Sequence, residues 1–370
     1  TVSFTFPFVT PTAIEMLSQI FIMPEHIYKD VTDFEHNDYN MNSVGTGPYK
    51  LVDYQSGSYL KFEANENYYK GEPSIKNVVF QIIENADTAI LALQNGEVDA
   101  YQMTPQQVKK LDLDASNLST YSYSEGRVGY LEINCNRVTD EKVRKALLYA
   151  MDRKAMDDAA FESSEYYSIP YTFLPTNSQF YTEDGVEKYE QDVDKAKSML
   201  EDAGVSGLKL KLGYMSSEAV QSAQALLIQE QLKEVGVTVE LAGGDGTAIA
   251  NAMKDPDNEY DMYLGGYIMG IDPDTFSSLF ENDRAYNYMH YSGYDTIDQL
   301  FEEGRSELDE SARKETYAKL QAAVQDTGAF YPIISNNKIL VVNNRIQGVE
   351  DAGLVPVYTF EDTSSLKIAE

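Results

Sequence analysis

The segment from residue 208 to residue 241 constrains the fold of this chain more than any other stretch. In "LKLKLGYM" (208–215), leucines alternate with lysines, which predicts a strand with one buried face. Residues 217–235 have the pattern of a long helix that ends at Gly236, and "VTVEL" predicts a second strand after it. A strand, a helix and a strand in this order favour a parallel pair, so the sequence predicts an α/β fold.

A second strand–helix–strand pattern lies nearer the amino terminus. "KNVVFQII" (76–83) is a nearly continuous apolar run, which is typical of a buried strand. We predict a helix after it, capped by Asn85 or Asp87 and ended by Gly96, and then a strand over 98–103. The same reasoning predicts that these two strands are parallel neighbours.

The first residues have the alternation of a strand. Val2, Phe4 and Phe6 of "TVSFTFPF" are separated by small polar residues, so we predict a strand from the first residue onward. Because a domain seldom begins directly on a strand, we expect that chain preceding Thr1 has been removed, together with any targeting signal.

The glycine-rich segment "GTGPYKLVDYQSGSYLKFEANENYYKGEP" (45–73) has only the beginning of a phosphate-binding loop. Such a loop needs Gly-Lys-Ser/Thr and then a helix, whereas Pro48 and a strand follow Gly45 and Gly47. Two short runs with apolar residues flank Gly57, which predicts a hairpin. The glycines therefore indicate a turn in a sheet.

The rest of the chain predicts further helices and strands. One helix, capped by Thr139 or Asp140, continues to Met151, and another ends at Gly204. The periodicity predicts two more helices over 294–308 and 311–326 and then two strands, "FYPIIS" (330–335) and "KILVVNN" (338–344).

The charge and length of the chain limit its partners and its organisation. Its 60 acidic and 29 basic residues give a formal net charge of −31, which repels phosphate backbones, so we expect no nucleic-acid partner. The sequence has no uninterrupted apolar run of about 18 residues, and we predict no membrane-spanning helix. A length of 370 residues is typical of two or three domains.

Motifs for catalysis and for metal binding are sparse. Cys135 is the only cysteine, and His26, His36 and His290 have no close metal-ligand spacing. "DPDNEYD" (255–261) lacks the glycine and the glutamate of a calcium loop, and no Gly-x-Ser-x-Gly pattern occurs. We therefore expect no metal, no cofactor and no catalytic residue, although a pair of glycosidase carboxylates stays open.

Tyrosine is the residue type that most favours a binding function. The chain has 28 tyrosines, and each has a flat apolar face and one polar tip, which suits a cleft for small ligands. Tyrosine also fills half-buried strand positions, so the count alone identifies no site.

Several segments, taken in order, indicate a family. They are "GTGPYKLVDYQSGSYLKFEANENYYKGEPSIKNVVFQII", "ALQNGEVDAY", "GYLEINCN" with "DEKVRKALLYAMDRKAM", "DVDKAKSMLEDAG", "QEQLKEVGVTVEL", "YDMYLGGYIMGIDPDTFSSLF" and "YSGYDTIDQLFEEGRSELDESARKETYAKLQAAVQDTGAFYPI". In this order and spacing, over nearly the whole chain, they resemble the family 5 extracellular solute-binding proteins, the dipeptide-, oligopeptide- and nickel-binding receptors of ABC importers.

The resemblance implies a two-lobed, periplasmic-binding-protein-like α/β fold of type II, the large peptide-binding class. Residues 1–128 would be the middle part of lobe one, 129–333 the second lobe and 334–370 a return to lobe one. The first part of lobe one and a small extra domain would precede Thr1. Chain crossings near "GYLEIN" and "FYPIISNN" would form the hinge, and in this family the ligand binds between the lobes.

The resemblance also implies a function. We expect a monomeric extracytoplasmic receptor, either a cell-surface lipoprotein or periplasmic, that passes peptides, oligopeptides foremost, to the permease of an ABC importer without chemistry. The alternatives are a receptor for an oligosaccharide or a nickel complex, a glycan hydrolase, and a surface receptor or chaperone that senses peptides without transport.

Candidate ligand-binding residues follow from the same resemblance: Tyr214, Met215, Tyr267, Met269 and Asp272, with Ser335 near the return crossing. Dipeptide- and oligopeptide-binding members place an Asp where this chain has Met269, and the usual aromatic residue is replaced by Gly266. Dipeptide binders also have an Arg after the strand that ends here at Met215, but "SSEAVQS" follows it. Burying a charged peptide terminus without a partner costs several kcal/mol. A longer peptide held by its backbone, or a non-peptide solute, is therefore favoured over a dipeptide gripped at both ends.

Overall fold

The chain forms two compact units. The computed structural model describes residues 2–7, 9–18, 20–113, 115–161, 163–270, 272–282, 284–293, 295–356 and 358–369. The larger unit comprises Thr1–Glu15 and Gly126–Asn336, and the smaller unit comprises Met16–Glu125 and Asn337–Glu370. The chain thus crosses between the units after Glu125 and again after Asn336.

The strands and helices are numbered in chain order. The strands are β1 Tyr49–Gln55, β2 Tyr59–Ala64, β3 Asn77–Gln81, β4 Ala100–Met103, β5 Leu118–Ser124, β6 Arg127–Ile133, β7 Tyr167–Ser168, β8 Lys209–Met215, β9 Thr238–Gly244, β10 Met262–Ile268, β11 Phe330–Asn343, β12 Ile346–Gln347, β13 Leu354–Val355, β14 Thr359–Phe360 and β15 Lys367–Ile368. The α-helices are α1 Ala13–Ser18, α2 Glu25–Tyr28, α3 Ala86–Gln94, α4 Pro105–Val108, α5 Glu141–Tyr149, α6 Arg153–Phe161, α7 Val193–Asp202, α8 Ala219–Glu234, α9 Gly246–Met253, α10 Ser277–Phe280, α11 Asp295–Ser306 and α12 Glu310–Asp326. Short 3-10 helices lie at Asp38–Asn42, Ser164–Tyr166, Pro273–Phe276 and Thr363–Ser365.

The sheet of the larger unit confirms the predicted α/β fold. Strands β8 and β9 pair in parallel with α8 between them, as the sequence predicts. Strand β10 is parallel to β8 and antiparallel to β6, and the first part of β11 pairs with the other side of β6. The order of strands across this unit is therefore β11, β6, β10, β8 and β9.

Two apolar cores fill the two faces of this sheet. Because side chains alternate along a strand, Leu131 and Ile133 of β6 pack into one core with helices α5 to α8, whereas Val128 and Tyr130 pack into the other core with α10 to α12. Within the described residues, every helix is too short or too polar to cross a bilayer.

The smaller unit contains the predicted hairpin. Strands β1, β2 and β3 form an antiparallel sheet, and Gly57 turns the chain between β1 and β2 with a φ of 72°. A strand, not a helix, follows Gly45 and Gly47, which agrees with the prediction that these glycines do not form a phosphate loop. A small core of Tyr123, Leu340, Val342 and Val349 lies under β5 and β11.

The prediction for residues 76–83 is partly wrong. A strand forms there, but Val79 and Phe80 of β3 are 56% and 61% exposed, because the three-stranded sheet β1–β3 has no buried residue on any of its strands. The predicted parallel pairing of 76–83 with 98–103 is also wrong, since β4 is antiparallel to β11. The reason is non-local: β11 comes from the other end of the chain and pairs with β4 in place of β3.

The predicted strand over residues 1–8 is also wrong for residues 2–7, and Thr1 and Phe8 lie outside the described residues. Residues 2–7 have no strand assignment, and Val2, Phe4 and Phe6 are exposed. A strand is stable only when a neighbouring strand satisfies its backbone groups, and none of the described strands pairs with these residues.

The helix predictions of the larger unit are confirmed. Asp140 caps α5 by accepting a hydrogen bond from the Lys142 amide, and α7, α8, α11 and α12 lie within about two residues of their predicted positions. Tyr294, the first residue of the predicted helix over 294–308, lies outside the described residues. The strands predicted at 330–335 and 338–344 form one continuous strand, β11.

Candidate functional site

The ends of several strands meet at one edge of the larger unit's sheet. Because β8 is parallel to both β9 and β10, the carboxyl ends of all three strands lie at this edge. Strand β6 runs in the opposite direction, so its first residue pairs here with the last residue of β10. Ligands of α/β sheets usually bind outside the carboxyl ends of the strands. We call the following residues the carboxyl edge: Arg127, Tyr214, Met215, Gly266, Tyr267, Ile268 and Met269.

Tyr214 and Met215 lie at the end of β8 and are half-buried. A Cβ atom added to Gly243 would lie 2.7 Å from Cζ of Tyr214, and one added to Gly246 would lie 2.2 Å from Cε of Met215. The backbone amide of Met215 donates a hydrogen bond of 2.8 Å to Oε1 of Gln221. Glycines at 243 and 246 therefore provide the space that these two side chains occupy.

Tyr267 and Met269 lie at the end of β10 and just beyond it. The Tyr267 hydroxyl donates to the Thr275 carbonyl at 3.1 Å and accepts from the Ser278 hydroxyl at 3.0 Å. Its ring lies 5.1 Å from the ring of Phe276. The Met269 amide donates to the Gly126 carbonyl at 2.9 Å. Both side chains are half-buried, and hydrogen bonds hold the Tyr267 hydroxyl and the Met269 backbone amide in position.

Asp272 lies behind the carboxyl edge, in a buried ion pair. Its Oδ2 is 2.7 Å from Nη2 of Arg313, and each of the two side chains is only 9% exposed. Its Oδ1 accepts hydrogen bonds from the Asp274 amide at 2.9 Å, which caps the 3-10 helix, and from the Tyr317 hydroxyl at 3.4 Å. Asp274 accepts bonds of 2.8 to 3.1 Å from Arg305. Both carboxylates of the Asp-Pro-Asp motif thus anchor the loop that follows Met269.

Ser335 is buried on β11. Its carbonyl accepts a hydrogen bond of 3.4 Å from the Ser168 hydroxyl of β7. Since Ile334 pairs with Gly129 of β6, Ser335 lies one residue further toward the carboxyl edge. The structure therefore places four of the six predicted residues on the carboxyl edge, Asp272 behind it and Ser335 on the adjacent strand, and their contacts with a ligand stay a prediction.

Arg127 is a member of the carboxyl edge that sequence reasoning missed. It pairs with Ile268, and its side chain is half-buried. The available signal was a lone cation between Gly126 and a buried strand, "GRVGYLEIN", at one of the predicted chain crossings. Within the described ranges, no three His, Cys, Asp or Glu side chains come together in a way that could hold a metal ion.

The fold and sequence define a family. The sequence model of the family "Bacterial extracellular solute-binding proteins, family 5 Middle" matches residues 1–288 of this chain. The chain belongs to this family, which confirms the resemblance seen in the sequence. The type II binding-protein fold is confirmed by solved structures: CtaP, an ABC transporter substrate-binding protein from Listeria monocytogenes, has 37% identity and a TM-score of 0.93. AppA from Clostridium difficile has 32% identity and a TM-score of 0.92.

The match covers this chain more fully than it covers its relatives. The CtaP match covers 99% of this chain and 75% of CtaP. The match with AppA of Clostridium difficile covers 98% of this chain and 75% of that protein. The oligopeptide-binding protein AppA of Bacillus subtilis is 27% identical over 87% of this chain and 63% of its own length. The dipeptide-binding protein of Escherichia coli is 26% identical, and the match covers 84% of this chain and 59% of that protein. The chain therefore spans about three fifths of the curated relatives it matches.

Proposed function

We propose that this chain is the ligand-binding part of an extracytoplasmic receptor that delivers peptides, oligopeptides foremost, to the permease of an ABC importer. Family membership is the observation that carries the proposal, together with the peptide-binding relatives named above. We further propose that the two compact units correspond to the two lobes of the family, and that the protein binds its solute without turnover.

The carboxyl edge supports a ligand held along its backbone. Tyr214, Met215, Tyr267 and Met269 present aromatic and thioether surface, which gives apolar contact area and adapts to varied side chains. The resemblance aligns Met269 with the aspartate that binds the α-ammonium group in peptide-binding members, and on that alignment this chain has no carboxylate for the peptide's amino terminus at this position. We assign Asp272 the role of holding the loop that follows Met269. Ser335 lies on β11, the strand next to β6.

A thermal-shift screen tests this proposal. The complete gene product is heated with dipeptides, with longer peptides, with oligosaccharides and with Ni²⁺. A ligand at about 100 times its Kd adds roughly 2.7 kcal/mol, which raises the melting temperature by several degrees. We expect longer peptides to give the largest rise. A rise with sugars or Ni²⁺ alone would contradict a peptide ligand, and release of reducing ends from a glycan would contradict a receptor without turnover.

We predict that Met269→Ala weakens binding of longer peptides by about tenfold. The reason is the loss of apolar contact worth roughly 1–2 kcal/mol at a half-buried side chain. Titration calorimetry gives the change in Kd. Leu308→Ala is the matched control, since Leu308 is 71% exposed between α11 and α12. Equal affinities for both variants would remove Met269 from the site.

A further inference from the structure

Arg127 differs from every other arginine of the chain in its partners. The sequence has eight arginines, all within the described residues. Seven of them donate hydrogen bonds, either to carboxylates, as Arg305 does, or to backbone carbonyls, as Arg144 and Arg153 do. The guanidinium of Arg127 has no hydrogen bond and no ion pair to any described residue. Acidic partners are not scarce in a chain with a net charge of −31.

The position of the Arg127 guanidinium depends on a glycine. A Cβ atom added to Gly266 would lie 2.1 Å from Nη2 of Arg127 and 2.3 Å from its Cζ. The guanidinium therefore lies directly over the Gly266 backbone, diagonally across the β6–β10 pair. The glycine leaves the space that the arginine fills.

The surroundings of Arg127 connect it to the proposed site. It begins β6 at the carboxyl edge, and the residue before it, Gly126, accepts the hydrogen bond of the Met269 amide at 2.9 Å. A half-buried cation has lost part of its hydration and gains most from an anion that restores its hydrogen bonds. A guanidinium matches a planar carboxylate with two parallel hydrogen bonds.

We propose that Arg127 binds a carboxylate of the ligand, namely the free carboxyl terminus of a peptide. This inference rests on the proposed function, because it assigns one end of the peptide to the carboxyl edge. It provides the anchor that the segment after Met215 lacks. It also makes the receptor selective for unmodified carboxyl termini.

The test compares two forms of one ligand pool. A pool of pentapeptides without Asp or Glu is prepared once with free carboxyl termini and once as carboxyl-terminal amides. The complete gene product is titrated with each pool by calorimetry, as wild type, Arg127→Gln, Arg127→Lys and the control Arg284→Gln, whose exposed side chain pairs with Glu281. We expect wild type and the control to bind the free acids about 30-fold more tightly than the amides.

Arg127→Gln is expected to bind both pools equally, at the affinity that wild type has for the amides, and Arg127→Lys to keep part of the preference. The retained binding of the amides shows that the variant is folded. Equal affinity of wild type for both pools, or an unchanged preference in Arg127→Gln, would overturn the inference and leave the proposed function standing. If wild type binds neither pool, the proposed function fails and the inference fails with it.

Discussion

Replacing Asp272 by alanine is expected to lower the free energy of unfolding by about 3–5 kcal/mol, because it leaves the guanidinium of Arg313 buried without its anion. Both side chains of the pair are almost fully enclosed, and the 2.7 Å contact joins the loop after β10 to helix α12. The cap of the 3-10 helix is lost at the same time, which adds to the loss. Denaturant unfolding of the variant and of wild type gives the difference.

The controls for Asp272→Ala separate a buried pair from an exposed one. Glu310→Ala removes one partner of the exposed Glu310–Lys314 pair and is expected to change stability by less than about 1 kcal/mol. The double replacement of Asp272 by Leu and Arg313 by Met is expected to be more stable than Asp272→Ala alone. A loss below about 1 kcal/mol in Asp272→Ala would mean that the ion pair does not hold this loop. If Asp272→Asn unfolds like wild type but no longer binds peptide, the carboxylate contacts the ligand after all.

Glu132→Gln is expected to stabilise the protein at neutral pH, by an amount that grows with pH. Glu132 is fully buried on the central strand β6, and neither carboxylate oxygen has a hydrogen bond to a described residue. Burial raises the pKa of this carboxyl well above its ordinary value. The Tyr130 and Tyr263 hydroxyls lie near Glu132. Burial is the main cause that raises the pKa of each hydroxyl, and the charge of Glu132 is the second cause.

The sign of the pH dependence follows from proton binding. Above the pKa of an unfolded glutamate, about 4.3, the unfolded chain loses this proton while the folded chain keeps it. The stability of wild type therefore falls as the pH rises toward the folded pKa, by up to about 1.4 kcal/mol per pH unit from this group. Glutamine has no such proton, so the difference between variant and wild type grows as the pH rises above the unfolded pKa and levels off once the pH passes the raised folded pKa of Glu132.

Denaturant unfolding at several pH values measures this difference. Glu234→Gln, at the exposed end of α8, is the matched control and is expected to change stability by less than about 0.5 kcal/mol at each pH. A constant difference between Glu132→Gln and wild type across the range would show that Glu132 is already ionised in the folded protein.

Local patterns predicted those parts of the fold whose contacts are local. The β8–α8–β9 unit, the turn at Gly57 and the cap of α5 at Asp140 each depend on residues that are close in sequence. The exposure of β3 and the pairing of β4 depend instead on strands that are distant in the chain. Alternating apolar residues, as in Val2, Phe4 and Phe6, do not reveal whether a partner strand exists.

The same limit applies to the candidate site. The resemblance located the ends of β8 and β10, because sequence motifs mark where those strands end. It named Asp272 as a ligand contact, which stays a prediction. It did not reveal the ion pair of Asp272 with Arg313, because Arg313 lies 41 positions further along the chain. The free guanidinium of Arg127 and the enclosed carboxyl of Glu132 are also invisible to a pattern, because each is defined by neighbours that only the folded chain supplies.

The route of the chain through the two units has a consequence for the order in which they are completed during synthesis. The smaller unit begins at Met16, yet the strand that pairs with both β4 and β5 is supplied by residues after Asn336. The long insertion Gly126–Asn336 leaves the ribosome before those residues do. On a growing chain, most of the smaller unit is therefore made before most of the larger unit but is completed after it, and β4 and β5 lack their partner strand while more than 200 further residues are translated. Ribosome-bound chains whose emerged part ends near Asn336 are expected to protect the larger unit from protease while the smaller unit is still cut.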